Sequence, residues 1–213
     1  MELYSYFRSS AAYRVRIALE LKGLEHTIVP VNLSTDQQRA QHYLLNNPQG
    51  LVPALTLDSG ETLAQSGAIL EWLEETHTDA PLYPQDPVQK AQHRALCQHI
   101  ACDIHPLNNL RVLRYLSGPL ALDREQVNGW YAHWITLGFK AIEDAVETFG
   151  TDFSLGKHPG MLEVFLIPQV YNAYRFCIDL SPFPQIVALD ERCQHLPAFS
   201  KAHPSNQIDF PGA

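Results

Sequence analysis

Residues 6–21, YFRSSAAYRVRIALEL, place an apolar strand end, an arginine, two hydroxyls and a run of helical period in immediate succession. Ser9 and Ser10 bring oxygens suited to capping a helix, and a helix N-terminus offers backbone N–H groups and partial positive charge to an anion. Arg8 adds a full charge at the same place. Two serines before an apolar run are often a cap and no more, so any functional reading of this turn must draw on the rest of the chain.

On either side of the turn the pattern is that of a small α/β unit. Residues 2–7 read as a short strand and 12–22 as a helix closed by Gly23. EHTIVPV at 25–31 reads as a second strand, at an edge because Pro30 cannot donate to a ladder. Thr35 and Asp36 open a polar, irregular helix to about Leu45, followed by a loop of turn residues, Asn46, Asn47, Pro48, Gln49 and Gly50. LVPALTL at 51–57 reads as a third strand, and Asp58-Ser59-Gly60 turns it into a fourth at 61–63. The proline inside the third strand fits if Val52-Pro53 is a cis bond at the mouth of a site, before the strand joins its ladder. Gln65 and Ser66 then start a helix with Ile69, Leu70 and Leu73 on one face.

Three prolines in residues 79–87, DAPLYPQDP, mark a linker. The expected division is a first domain at 1–78, a linker at 79–86 and an all-helical domain at 87–213. Asp86 caps a long helix that has Pro87 in its first turn and runs toward Leu116 with a kink at Pro106. A second helix is expected from Asp123 to Phe149, and a third over 161–177 with Pro168 inside it.

Composition narrows the function. The 213 residues are 46% hydrophobic, enough for a full core, and 15 basic against 23 acidic residues give a net charge of −8. That balance argues against non-specific binding to nucleic acid or anionic membranes, so an anionic ligand must find a local basic cluster. No apolar run is long enough to span a bilayer and no signal core follows Met1, so a cytoplasmic location is expected. Cys97, Cys102, Cys177 and Cys193 show no zinc spacing and are expected to be reduced and mostly buried. His93, His99 and His105 recur every six residues, which does not stack them on one helical face, and no metal is expected.

A small α/β domain with a prolyl strand, joined by a proline linker to a helical domain, resembles the cytosolic glutathione transferases. SSAAYRVRIALELKG at 9–23 resembles the signature of their zeta class, usually Ser-Ser-Cys-x-Trp-Arg-Val-Arg-Ile-Ala-Leu. NPQGLVPAL at 47–55, QSGAILEWLEE at 65–75 and CDIHPLNNLRVL at 102–113 resemble its later blocks. The resemblance implies an α/β thioredoxin-like N-terminal domain, an all-α C-terminal domain, glutathione as cofactor and a homodimer. It departs from the class at Ala11 and Tyr13, where a cysteine and a tryptophan are usual, and at PGMLE, 159–163, where Pro-Thr-Leu-Ala-Asp is usual. Gly160 cannot supply a side-chain cap, so the helix beginning there is expected to be weaker by about 1 kcal/mol or less.

The class includes isomerases of maleylacetoacetate and maleylpyruvate, and the resemblance implies that chemistry, with either substrate. Glutathione thiolate adds reversibly to the double bond, which then rotates as a single bond. By resemblance Ser9 and Ser10 jointly stabilise the thiolate, and the Val52 peptide group exposed by Pro53 pairs with the cysteinyl unit. Gln65 and Ser66 take the γ-glutamyl carboxylate at a helix N-terminus. His105 and Asn109 are expected to contact the tripeptide from the helical domain, and Gln38 from the first. Arg8, Arg111 and Arg175 are expected to hold the carboxylates of a small dicarboxylate substrate. Two other readings stand beside this one: a general transferase conjugating electrophiles, and a non-catalytic binding protein of the same fold.

Overall fold

The computed structural model describes residues 1–148 and 152–212. Compact packing divides the chain into Met1–Pro81 with Gln194–Ala213, and Leu82–Cys193. The first unit runs β1 (Glu2–Ser5), α1 (Ser10–Leu21), β2 (Thr27–Pro30), α2 (Gln41–Leu44), β3 (Ala54–Thr56), β4 (Thr62–Ala64) and α3 (Ser66–Thr76). Its sheet has the order β2-β1-β3-β4, with β2 parallel to β1 and β3 antiparallel to both β1 and β4. The edge position of β2 and the βαβ start agree with the sequence reading. So does the fold class, a thioredoxin-like α/β unit followed by helices.

Ser9 caps α1, its Oγ accepting from the Ala12 N–H at 3.2 Å. The far end closes at Gly23, whose φ of +65° lets Leu24 N donate back to Leu19 O at 2.9 Å. The helix expected near 35–45 is instead two 3₁₀ turns, Leu33–Thr35 and Gln37–Arg39, and the short α2. The Asn32 side chain accepts from Ser34 N, and Asp36 sits in the left-handed region at φ 57°, so side-chain bonding and a reversed residue interrupt the helical ladder. Val52-Pro53 is cis, as expected, and β3 begins only at Ala54.

The second unit is helical: α4 (Pro87–Gln98), α5 (Leu110–Ser117), α6 (Arg124–Glu147), α7 (Met161–Arg175) and most of α8 (Pro184–Gln194). In place of one kinked helix to Leu116, α4 passes into a π-helical stretch, His99–Ile104, where His105 N bonds to Ile100 O. Pro106 lacks an N–H and its ring crowds the preceding turn, so the backbone widens there and a new helix starts after Asn109. Asp123 caps α6 in a reciprocal box with Gln126, and the helix end expected at Phe149 lies outside the described residues. Residues 161–170 of α7 are all buried. Of the cysteines, Cys97 and Cys193 are buried while Cys102 and Cys177 are exposed, and all four are free.

The tail departs from the expected division. α9 (Pro197–Ala202) and the residues after it pack with the first unit rather than within a helical domain running to 213. Arg16 explains part of this: fully buried on α1, it donates to Ala202 O at 3.0 Å. A guanidinium removed from water needs acceptors, and the returning tail supplies one.

Candidate functional site

The turn after β1 is held by side chains from elsewhere in its own unit. Tyr6 O accepts from Ser9 N at 2.9 Å, Phe7 O from Arg16 Nη2 at 3.0 Å, and Phe7 N donates to Asp209 Oδ2 at 2.9 Å. Arg16 Nη1 also reaches Ser5 Oγ at 2.9 Å. On this support Arg8 points outward, exposed, over the Tyr6 and Phe7 rings at 5.8 and 5.6 Å. Ser9 is half-buried, and its Oγ is engaged as an acceptor, which leaves its hydroxyl proton to be donated. Ser10, in the first turn of α1, is only 5% exposed. An exposed charge, an available hydroxyl proton and a helix N-terminus therefore meet at one place, which suits a bound thiolate.

Below the turn lies an apolar cluster of Tyr6, Phe7, Val31, Tyr43 and Val52, with Phe210 packed against it. The same cluster carries the cis-prolyl segment. Tyr43 donates its hydroxyl to Leu51 O at 2.5 Å and Asn47 Nδ2 donates to the same oxygen at 2.8 Å, fixing the residue before Val52. Burial pushes the Tyr43 hydroxyl up to about 12, so it stays a donor across the physiological range. Because β3 pairs from Ala54 onward, the Val52 peptide group lies outside the ladder, available to an extended peptide.

Gln65 sits at φ 70°, a strained conformation for a residue with a side chain, immediately before α3. Its Nε2 donates to Gln49 Oε1 at 2.6 Å, tying the start of α3 to the loop that precedes the prolyl strand. Ser66 is 7% exposed, and its Oγ accepts from Arg14 Nη1 at 3.3 Å. Arg14 was not singled out by the sequence reading. The available signal was its place, with Arg16, inside an otherwise apolar helix: charged residues there need partners, and both find them in the elements flanking the site. Gln38 is turned inward, 6% exposed, with Nε2 on Asp36 Oδ1 at 3.0 Å. Its backbone carbonyl packs against Gly50, where an added Cβ would lie 3.1 Å from that oxygen, so the visible role of Gln38 is to shape the loop.

In the second unit the turn 105–109 brings His105 and Asn109 together, Nε2 to Nδ2 at 3.5 Å. Asn109 also caps α5, accepting from Arg111 N at 3.1 Å, which places the exposed Arg111 in its first turn. Trp130 Nε1 donates to Leu107 O at 2.9 Å and Asn108 Nδ2 to Tyr131 O at 3.2 Å, seating the turn on α6. Arg175, at the end of α7, is exposed, donates to Asn172 Oδ1 at 3.1 Å and lies over the Phe176 ring at 5.4 Å. That ring stacks on Tyr131 at 3.6 Å. Burial pushes the Tyr131 hydroxyl up, and the nearby Arg175 charge draws it back.

A cavity of about 490 Å³ in the first unit is lined by mixed charges, among them Arg16, Glu20, Glu25, His26 and Lys201, and it includes neither Ser9, Val52, Gln65 nor Ser66. Among the described residues no His, Cys, Asp or Glu cluster is suited to a metal ion, and no helix is long and apolar enough to cross a membrane.

Known proteins match this arrangement. The family pattern of the glutathione S-transferase N-terminal domain matches residues 8–76. Maleylacetoacetate isomerase of Pseudomonas aeruginosa is 45% identical over 100% of both chains. A holo structure of maleylpyruvate isomerase, a bacterial zeta-class glutathione S-transferase, is 40% identical with a TM-score of 0.94, covering 98% of this chain and 99% of that one. Maleylacetoacetate isomerase of Methylobacterium extorquens, crystallised with malonate and glutathione, is 37% identical with a TM-score of 0.92, over 100% and 99% of the two chains.

Proposed function

The chain belongs to the zeta class of the glutathione transferases, and from that membership we propose a glutathione-dependent cis–trans isomerase of maleylacetoacetate or maleylpyruvate. The observation that carries the reading is the linkage of three elements of one α/β unit: the Ser9 turn, whose Tyr6 and Phe7 share an apolar cluster with Val52, the Val52 peptide group outside the ladder, and Ser66 at the start of α3, bonded to Arg14 of α1. Glutathione offers one feature to each: thiolate, extended cysteinyl backbone and γ-glutamyl carboxylate.

Free thiol, with a pKa of about 8.5, is mostly protonated at neutral pH, and a hydroxyl donor beside a helix N-terminus favours the thiolate. The thiolate sulfur adds to one alkene carbon, and the electron pair moves to the conjugated carbonyl as an enolate. Rotation about the new single bond follows, and the enolate pair then re-forms the double bond as the sulfur leaves. Glutathione is unchanged overall, so no thiol of the protein takes part, and Ala11 costs the reaction nothing. Arg8, Arg111 and Arg175 are assigned to the substrate carboxylates, and His105 and Asn109 to glutathione. Stacking on aromatic rings at Arg8 and Arg175 supports the assignment, since it restrains each guanidinium while leaving donors for a carboxylate. The four free cysteines fit a reducing cytoplasm, and family membership supports a homodimer.

Assaying both substrates with and without glutathione tests the proposal. Turnover of at least one that depends on glutathione without consuming it supports the isomerase. Stoichiometric loss of glutathione into a conjugate would make the protein a general transferase.

A further inference from the structure

We propose that the C-terminal tail is a clamp on the thiolate-binding turn, with Asp209 as its positioning residue. The inference rests on the reading of Ser9 as thiolate donor, and it assigns a role to residues 203–212 that the site itself does not use.

The backbone of the turn gives the reason. Tyr6 O and Phe7 O are satisfied from within residues 1–16, by Ser9 N and by Arg16. Phe7 N has left the ladder, which ends at Ser5, and its acceptor is a carboxylate 202 positions along the chain. Phe7 N precedes the Phe7 carbonyl and the Arg8 peptide, so its hydrogen bond fixes the plane from which Arg8 and Ser9 depart. Next to it, the Phe210 ring meets the Phe7 ring edge-on at 5.5 Å and joins the cluster that also carries Val52. The tail thus seats on the layer beneath both the thiolate turn and the prolyl segment.

The tail is itself shaped for this contact. Gln207 Nε2 donates to Lys201 O at 2.9 Å and His203 O at 3.1 Å, and Phe210 N donates to Gln207 O at 2.9 Å, folding the chain back so that residues 209 and 210 face the turn. Asp209 Oδ1 is buried and has no hydrogen-bond partner among the described residues, so the carboxylate's visible engagement is with Phe7. A buried anionic oxygen without a partner is unfavourable, and the fold tolerates it here to hold one backbone N–H.

The test uses the full chain with Asp209→Ala, Asp209→Asn and Phe210→Leu, and two measurements. Amide hydrogen exchange at Phe7 in the free protein should quicken by about tenfold or more in Asp209→Ala, and Asp209→Asn, which keeps an accepting oxygen, should restore most of the protection. The thiol of bound glutathione, titrated by its thiolate absorbance, should have a higher apparent pKa in Asp209→Ala, by roughly half a unit to one unit, and a nearly unchanged one in Asp209→Asn. Phe210→Leu should move both readings in the same direction by less, and it serves alone if Asp209→Ala does not fold. Unchanged exchange at Phe7 in the folded variants would overturn the clamp. Faster exchange with an unmoved thiol pKa would make the contact structural only and overturn the positioning role. Absence of any thiolate signal in the unaltered protein would instead remove the glutathione reading, while the exchange arm still decides the clamp.

Discussion

At Ser9 and Ser10 the two hydroxyls, adjacent in sequence, stand in different positions. Ser9 is the N-cap, its oxygen accepting from Ala12 N and its proton available, whereas Ser10 is already inside α1 and buried. Ser9→Ala should therefore remove the donor to the thiolate, lowering turnover about ten- to a hundredfold and raising the bound thiol pKa, and should also cost about 1 kcal/mol of stability. Ser10→Ala should leave the thiol titration nearly where it was. Equal effects of the two on the thiolate absorbance would assign the role to the pair. Arg175 separates isomerase from general transferase. Asn172 and Phe176 hold its guanidinium at the end of α7, and a charge-assisted contact to a carboxylate is worth roughly 1.5–3 kcal/mol. Arg175→Ala should lower turnover of the dicarboxylate about ten- to a hundredfold and leave conjugation of a neutral electrophile nearly untouched. A parallel fall in both activities by a folded protein would make Arg175 structural.

Among the elements, the start of α7 shows how a cap is rebuilt when its usual residue is missing. Gly160 supplies no side-chain cap, which by itself weakens the helix start. Glu163 compensates: its buried carboxylate accepts from Ser154 N at 2.6 Å, Ser154 Oγ at 2.5 Å and Gly160 N at 2.7 Å. Burial holds this carboxyl above the usual carboxylate range, and the donors from Ser154, Gly160 and its own backbone N–H offset only part of that. The space a capping side chain would fill is taken, since a Cβ on Gly160 would lie 2.7 Å from Leu155 Cγ, 2.8 Å from Ser154 Oγ and 2.9 Å from Leu82 O. Restoring the threonine common in the family should thus destabilise the protein, by about 1–3 kcal/mol of overpacking, where capping alone would forecast a gain of about 1 kcal/mol. Urea unfolding of Gly160→Thr decides between these opposite signs. Glu163→Gln should also destabilise, because its amide would turn N–H groups toward donors that need an acceptor.

Across the whole chain, what was legible in the sequence was local. The Ser9 cap, Gly23, the cis bond at Pro53 and the helix start at Ser66 each follow from a few neighbouring residues, and these position the candidate site. What was not legible joins distant segments: Arg16 to Ala202 across 186 positions, Asp209 to Phe7 across 202, Arg14 to Ser66 across 52. Periodicity marked Arg14 and Arg16 only as charges in an apolar helix, and it carried no information about which segment would return to meet them. The π-helical stretch before Pro106 was hidden for a related reason, since a proline signals a break without saying how the backbone absorbs it. One consequence is thermodynamic. Both ends of the chain build the unit that carries Ser9, Val52 and Ser66, so a ligand held there stabilises Met1–Pro81 together with Gln194–Ala213. Glutathione at a hundred times its Kd should add about 2.7 kcal/mol, a rise in Tm of roughly 5–11 °C in calorimetry if the whole chain melts as one and roughly 11–22 °C if that unit melts by itself. If the two units melt separately, only one transition should move. Ser66→Ala should shrink the shift by weakening the γ-glutamyl contact. A melting profile that ignores glutathione at every concentration would exclude binding to the folded chain, and with it the isomerase.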